Sequence, residues 1–202
     1  MTDQPPFDSQ RPTAERLLDA AMLLFRAKGY LSTSVADILR EAKANSGSLY
    51  HAFPTKQDVL IGVLERYRSG IDPMLLAPAW KGIDDPIDRI FALLARYRAA
   101  LEMTECSYGC PIGSLALELH EPDPPVRALL AANFDGWVAA IRRCLDAAAD
   151  RLPAGTDTEA LGQFVLTVME GGVMQARTQR SLTPFDASVA CLRDYFDRLV
   201  AV

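Results

Sequence analysis

The chain has few aromatic residues, few histidines and no long apolar run. Aromatic residues make up 8% of its 202 positions, and its two histidines are His51 and His120. No apolar run approaches the roughly 20 residues that a membrane span needs, and residues 1–12 are polar. We therefore expect neither a transmembrane segment nor a signal peptide, and a cytoplasmic protein without a membrane partner.

The four cysteines do not form a metal-binding pattern. Three residues separate Cys106 from Cys110, whereas Cys144 and Cys191 are isolated. Because zinc sites need Cys and His ligands at short, paired spacings, we expect no metal and no cofactor. Most such cysteines are small buried residues, and the alternative is a thiol sensor built on Cys106 and Cys110.

Common enzyme motifs are also missing. The sequence has no nucleophile elbow, no phosphate-binding loop of the GxxxxGK type and no dinucleotide fingerprint after a strand. His120 stands close to Glu118 and Glu121 and could act as a base, but a cation at the end of a helix is the simpler interpretation. The sequence predicts that the protein is not an enzyme.

Alanine and leucine are abundant, and the charge is unevenly distributed. Half of the residues are apolar, which together with this composition favours an all-helical fold. The net charge is −5, but residues 1–56 hold seven Lys and Arg against six Asp and Glu, whereas the remainder holds fourteen against twenty. A nucleic-acid contact is thus expected in the first segment, with few phosphate contacts per subunit.

The stretch from Ser32 to Lys56 carries the clearest local pattern. Ser34 and Asp37 stand at the spacing of a capping box, which predicts a short helix. Asn45 is a favoured N-cap residue and predicts a second short helix that ends before Pro54. Two short helices joined by three residues are typical of a helix-turn-helix, whose second helix enters the major groove of DNA.

The second helix has a polar exposed face. Gly47 and the small Ser46 and Ser48 allow close approach, and Tyr50 and His51 can reach phosphates or base edges.

A third helix is predicted from Thr55, which has Asp58 in capping-box position. Lys56 lies in its first turn, where a cation opposes the helix dipole unless it binds a phosphate.

Three segments of this region, ERLLDAAMLLFRAKGY, TSVADI and GSLYHAFPTK, resemble the DNA-binding domain of the TetR family of transcriptional repressors. The resemblance runs from Ala14 to Leu64 without gaps. Lys43 departs from the family, which usually has glycine in the turn, so either a left-handed residue carries a modest strain there or the turn differs slightly. Ala52 also departs from the family, which favours histidine at this position. Either one contact to the DNA backbone is then missing, or His51 makes that contact.

The resemblance implies that Tyr50 and Lys56 hold phosphates. Arg11 precedes the first helix, where arms of other DNA-binding domains reach the minor groove; the alternative is a solvated charge. The full set of expected DNA-binding residues is Ser34, Asn45, Ser46, Gly47, Ser48, Tyr50, His51, Lys56 and Arg11.

The expected fold is all-α with about nine helices. A flexible arm at 1–12 precedes a helix-turn-helix domain of three helices at 13–69, and a larger ligand-binding and dimerisation domain follows at 70–202. We place the boundary near Ser69, because Gly70, Pro73, Pro78 and Gly82 are typical of a linker.

Helix signals continue through the second domain. Asp85 before Pro86 predicts a helix to about Met103, and further helices are expected at about 124–150, 156–180 and 183–199. Thr156 and Glu159 have the capping-box spacing at the start of the helix at 156–180. The segment CSYGCPIGSLALE at 106–118 resembles a TetR subgroup whose ligand domain has a GCPIG-like turn into a helix.

Aromatic, Met and Gln residues of this domain are candidates for an inducer cavity. The expected ligand-binding residues are Phe91, Tyr97, Met103, Tyr108, Phe134, Trp137, Phe164 and Gln163. The expected ligand is apolar or aromatic and uncharged or weakly anionic.

The resemblance further implies a homodimer formed through the last two helices and a palindromic double-stranded DNA operator. Gly162, Gly171 and Gly172 of the penultimate helix fit close packing against another backbone. The expected function is a repressor released from DNA by a small-molecule inducer. The alternative is a repressor that senses oxidants or electrophiles through Cys106 and Cys110.

Overall fold

The computed structural model describes residues 11–200, and within them it contains helices and connecting loops but no strand. The helices are α1 (Thr13–Lys28), α2 (Val35–Ala42), α3 (Ser46–Ala52), α4 (Lys56–Gly70), a π-helical segment (Ile71–Leu76), α5 (Ala77–Trp80), α6 (Pro86–Met103), α7 (Pro111–Glu118), α8 (Pro124–Ala147), a 3-10 turn (Ala149–Arg151), α9 (Thr158–Gln179) and α10 (Thr183–Val200). When the continuous run from Lys56 to Trp80 counts as one helix, residues 11–200 contain the expected nine.

The described chain forms two compact units. The first unit comprises residues 11–67 and 114–130, and the second comprises residues 68–113 and 131–200. The expected boundary near Ser69 is close to the division at 67, but residues 114–130 had been assigned to the second domain. They join the first unit because Glu118 accepts hydrogen bonds from backbone N–H groups of the loop between α1 and α2. Helices α4, α7 and α8 therefore contribute residues to both units.

Apolar faces of the first four helices form the core of the first unit. Leu17 of α1, Ile38 of α2, Leu49 of α3 and Leu60 of α4 are buried. Gly62 in α4 permits the close approach of α1, because a Cβ atom there would lie 2.8 Å from a methyl group of Leu18. This packing fixes the helix-turn-helix on the two longer helices.

The expected linker after α4 is helical instead. The chain continues as the π-helical segment and then α5, so the prediction of a linker punctuated by Gly70, Pro73 and Pro78 was wrong. Pro78 lies in the first positions of α5, within this continuous helical run. Gly82, with φ of 76°, does lie in the turn before α6.

Helices α6, α8, α9 and α10 supply most of the core of the second unit. Asp85 caps α6 as expected, with its carboxylate accepting from the N–H groups of Ile87 and Asp88 at 2.8 and 3.0 Å. Arg98 of α6 binds Asp186 of α10 through two hydrogen bonds of 2.8 and 3.1 Å.

Close backbone packing explains two of the three glycines of α9. A Cβ atom on Gly172 would lie 3.4 Å from the Cα atom of Phe185 in α10, and one on Gly162 would lie 3.3 Å from the carbonyl oxygen of Val138 in α8. Gly171 has no such neighbour within 4 Å, so close packing does not explain it.

The cap of α9 differs from the expectation. Asp157 accepts from the N–H groups of Glu159 and Ala160 at 3.1 and 3.0 Å, whereas the Thr156 hydroxyl donates to the Pro153 carbonyl. A carboxylate reaches two helix amides at once, which the hydroxyl one residue earlier does not.

Among residues 11–200, none of the helices is both long enough and apolar enough to cross a membrane.

Candidate nucleic-acid interface and ligand site

The first helix of the helix-turn-helix, α2, begins with a reciprocal cap and ends with a left-handed residue. The Asp37 N–H donates to the Ser34 hydroxyl at 3.1 Å, and the Ser34 N–H donates to the Asp37 carboxylate at 3.0 Å, as the capping-box spacing predicted. Lys43 ends α2 with φ of 50°, so the residue that replaces the usual glycine does adopt the left-handed conformation.

Asp37 is also the centre of a small charge cluster. Its carboxylate binds Lys28 at 2.7 Å and Arg40 at 2.5 Å. The hydrogen bond from Lys28 is the largest cause, and together with that from Arg40 it holds the pKa of Asp37 well below its ordinary value. Two of the few cations in this region are therefore partly neutralised before any DNA binds.

Helix α3 presents a polar, exposed face beside one buried anchor. The Asn45 side chain accepts from the Ser48 N–H at 2.8 Å, which confirms it as the N-cap, and Leu49 is fully buried. Tyr50 is 53% exposed. Ser46, Gly47 and His51 are likewise exposed, whereas Ser48 is half-buried. This is the geometry of a recognition helix, with a short polar face available to a groove.

Lys56 lies at the start of α4, behind the capping pair of Thr55 and Asp58. Its ammonium nitrogen is 4.1 Å from the centroid of the Tyr30 ring. Burial lowers the pKa of Lys56, while the nearby carboxylate of Glu118 acts in the opposite direction. The ammonium group is thus held in a fixed, half-buried position rather than free in solvent.

Arg11 lies at the edge of the described chain, and the rest of the expected arm, residues 1–10, lies outside the described residues. Its guanidinium group pairs with Glu15 at 2.7 Å and also with Asp19. Its charge is therefore compensated within the protein. A role in the minor groove, which would require it to leave these partners, stays a prediction.

Two of the expected ligand-binding residues, Tyr97 and Trp137, meet in the second unit. The Trp137 indole N–H donates to the Tyr97 hydroxyl at 3.2 Å. Beside Tyr97 lie Cys110 and Glu170, whose thiol and carboxyl are hydrogen-bonded to each other. Burial raises the pKa of Tyr97 and of Cys110, and it also raises the pKa of Glu170. We call Tyr97, Cys110, Trp137 and Glu170 the buried polar cluster.

Glu170 was missed by the sequence analysis. One of its oxygens, Oε1, is buried and accepts no hydrogen bond from the described residues. A Cβ atom on Gly113 would lie 2.3 Å from its Oε2, so a side chain there would require the Glu170 carboxyl to move. The signal in the sequence was a lone carboxylate in the mostly apolar run VLTVMEGGVM, which is unusual unless the group has a specific role.

Three of the remaining expected ligand-binding residues have other surroundings. Phe91 packs against Phe196, with the Arg193 guanidinium 3.5 Å from its ring centroid. Met103 is 79% exposed, and the ring of Phe164 meets that of Tyr195 edge to face on the outer side of α9 and α10. The list is completed by the exposed Gln163 and the half-buried Tyr108 and Phe134.

All four cysteines are free thiols: Cys106 and Cys144 are buried, Cys110 is half-buried and Cys191 is exposed. Residues 11–200 contain no group of three His, Cys, Asp or Glu side chains that could hold a metal ion.

An exposed polar recognition helix, fixed by a capped turn on a helical core, defines a helix-turn-helix DNA-binding protein. Two family profiles match the chain: that of bacterial regulatory proteins of the tetR family at residues 17–63, and that of the tetracyclin repressor-like C-terminal domain at residues 86–192. The chain therefore belongs to the TetR family of helix-turn-helix transcriptional regulators.

Similar proteins extend over most of the chain. The HTH-type transcriptional regulator Rv0196 of Mycobacterium tuberculosis is 32% identical, covering 85% of this chain and 88% of its own length. YxaF, an HTH-type regulator of Bacillus subtilis, is 29% identical over 87% of this chain and 91% of its own. The crystal structure of a TetR regulatory protein from Rhodobacter sphaeroides has a TM-score of 0.81, at 24% identity, over 90% of this chain and 97% of that one.

Proposed function

We propose that this protein is a transcriptional repressor that binds a palindromic operator as a homodimer and leaves it when a small molecule binds. The observation that carries the proposal is the polar face of α3, exposed between its Asn45 cap and the fixed ammonium group of Lys56. Ser46, Gly47 and His51 are placed to approach base edges, and Tyr50 and Lys56 to hold phosphates.

The proposed dimer uses the outer face of α9 and α10. Phe164, Met174 and Tyr195 are large apolar residues that remain exposed on this face of a single chain. A groove of about 450 Å³ lies between the two helices, lined in part by Phe164 and Gly171. A second copy, related by a twofold axis, would cover this surface, and a twofold protein would read a palindrome.

The proposed inducer site is at the buried polar cluster. A mostly apolar surrounding with a few convergent polar groups suits a small ligand. The unpartnered Oε1 of Glu170 is an acceptor, so it favours a ligand that carries a hydrogen-bond donor. The ligand is thus better described as uncharged or cationic than as weakly anionic, because an anion would face the carboxyl of Glu170.

Coupling would follow helices shared by both units. Residues of α4, α7 and α8 belong to each unit, so we infer that the signal would pass along these helices. An inducer acts only through its different affinity for the two arrangements, and operator DNA must weaken inducer binding by the same factor.

The alternative, a thiol sensor, is less well supported by the chemistry of Cys106 and Cys110. Cys106 is buried, and burial raises the pKa of Cys110, which keeps it in the unreactive thiol form.

Selection of bound sequences from random DNA duplexes tests the proposal. We expect enrichment of an imperfect palindrome whose half-sites lie about one helical turn apart. The selected duplex should bind roughly a thousandfold or more tightly than random DNA at the same salt concentration. A protein that enriched no sequence would contradict the proposal.

A further inference from the structure

The loop between α1 and α2 is held by a residue from far along the chain. Glu118, at the end of α7, accepts from the Tyr30 N–H at 2.8 Å through Oε2 and from the Leu31 N–H at 2.7 Å through Oε1. All three residues belong to the first unit. Two charge-assisted hydrogen bonds from one carboxylate are among the stronger contacts available to a loop.

Two other residues of the loop are hydrogen-bonded locally. The buried Thr33 donates its hydroxyl to the Gly29 carbonyl at 2.6 Å, and its N–H donates to the Tyr30 carbonyl at 3.1 Å. The Gly29 N–H caps α1 by donating to the Phe25 carbonyl. The N–H groups of Tyr30 and Leu31 differ from these, because their acceptor lies outside the loop.

Gly29 makes the approach of Glu118 possible. A Cβ atom at this position would lie 2.7 Å from Oε1 and 2.8 Å from Oε2 of Glu118. Its φ of 85° is also one that side chains rarely adopt. Glycine is thus required both by the turn and by the incoming carboxylate.

The loop held by Glu118 supports Lys56. The Tyr30 ring lies under the Lys56 ammonium group, and the Tyr30 backbone is one of the two donors to Glu118. Releasing the carboxylate frees the segment that carries this ring. The ammonium group would then lose its support, although α3 and its turn stay intact.

We propose that Glu118 is a positioning residue of the DNA-binding surface, which fixes Lys56 against the phosphate backbone by holding the Tyr30–Leu31 loop. The proposal rests on the proposed DNA-binding function and assigns a part of that surface to a residue outside the helix-turn-helix sequence. Removal of one partner then weakens the phosphate contact without altering the residues that face the bases.

Amide hydrogen exchange tests whether Glu118 holds the Tyr30–Leu31 loop. In Glu118→Ala we expect the Tyr30 and Leu31 amides to exchange roughly tenfold faster or more, with the amides of α3 unchanged. Glu118→Gln keeps the size but offers one acceptor, so it should give an intermediate result and remains informative if the alanine variant does not fold. Glu121→Ala is the matched control, because Glu121 is exposed and its loss changes the charge equally. Unchanged exchange in both Glu118 variants would overturn the proposal.

A double-mutant cycle, measured by DNA binding, tests whether Glu118 acts through Lys56. With a selected operator duplex, Glu118→Ala introduced into the otherwise wild-type chain should weaken binding severalfold. The same substitution introduced into the Lys56→Ala variant should have almost no further effect. Equal weakening in both backgrounds, or tighter binding on loss of the carboxylate, would overturn the positioning role. Titration of the wild-type protein distinguishes failure of this inference from failure of the proposed function. A wild type that binds no duplex overturns the proposed function itself, and this inference with it.

Discussion

The ammonium group of Lys56 lies over the ring of Tyr30, 4.1 Å from its centroid, at the start of the helix that follows the recognition helix. A cation held over an aromatic face keeps its charge while losing much of its freedom. Such a group is suited to a phosphate, which needs a fixed positive charge and carries no information on sequence.

Replacement of Lys56 by alanine should weaken binding to all DNA sequences alike. One lost phosphate contact per subunit lowers the slope of log K against log salt by about 0.9 per subunit. Titration of operator and random duplexes at several salt concentrations measures both effects. Lys56→Arg is the control that keeps the charge. A changed preference among operator variants, with the salt slope intact, would show that Lys56 reads bases instead.

Replacement of His51 by alanine should have the opposite signature. His51 is exposed on α3, and under the proposed function it contacts a base edge, so its loss should alter preference among operator variants by about 1–3 kcal/mol at one position and leave the salt slope unchanged. Binding to a panel of single-base operator variants measures this. A uniform loss over the whole panel would contradict a base contact.

Gly113→Ala should destabilise the second unit by about 1–3 kcal/mol, because the new methyl group would lie 2.3 Å from the Glu170 carboxylate. Gly136→Ala in α8 is the matched control, since nothing lies within 4 Å of its Cβ position. That change should stabilise the protein by up to about 1 kcal/mol. Urea unfolding compares the two variants, and equal stability would mean that Glu170 moves aside freely.

Glu170 should make stability depend on pH. Burial raises its pKa above the ordinary 4.5, so the folded protein binds this proton more tightly than the unfolded chain does. Stability contributed by the protonated group is thus present at low pH and is lost as the pH rises from 4.5 through the folded pKa. Glu170→Gln removes this dependence. Unfolding curves of both proteins from pH 4.5 to 8 should diverge as the pH rises; parallel curves would contradict it.

Phe164→Lys should shift the protein from dimer to monomer. A lysine in the middle of an apolar contact leaves a charge buried without a partner. Leu23→Lys is the control, because Leu23 on α1 is 45% exposed and Phe164 is 44% exposed. Sedimentation at micromolar concentration should find a dimer for the wild type and the control only. A monomeric wild type would refute the proposed dimer.

Much of the fold follows from local signals. Ser34, Asn45, Thr55 and Asp85 each cap the helix that their spacing predicted, because a cap needs only residues within one turn. The linker after α4 was predicted wrongly, because Pro and Gly indicate a low local propensity for helix. They do not indicate that the packing of Leu76 and its neighbours still makes a helix favourable there.

The candidate site divides in the same way. The candidate DNA-binding residues from Ser34 to Lys56 could be named because they lie within one short segment that resembles a known family, and their contacts with DNA stay a prediction. The buried polar cluster was not, since it joins residues from α6, the segment before α7, α8 and α9, and only Tyr97 and Trp137 of it were expected.

The sequence by itself determined most of the helices, four of their caps and the class of protein, because these depend on neighbours within a few positions and on a contiguous motif. Only the tertiary structure decided which partners Glu118 and Glu170 have. Each carboxylate meets groups that lie far away in the chain, Tyr30 in one case and Cys110 in the other. No local pattern encodes such a pairing, because the contact exists only after the helices have packed.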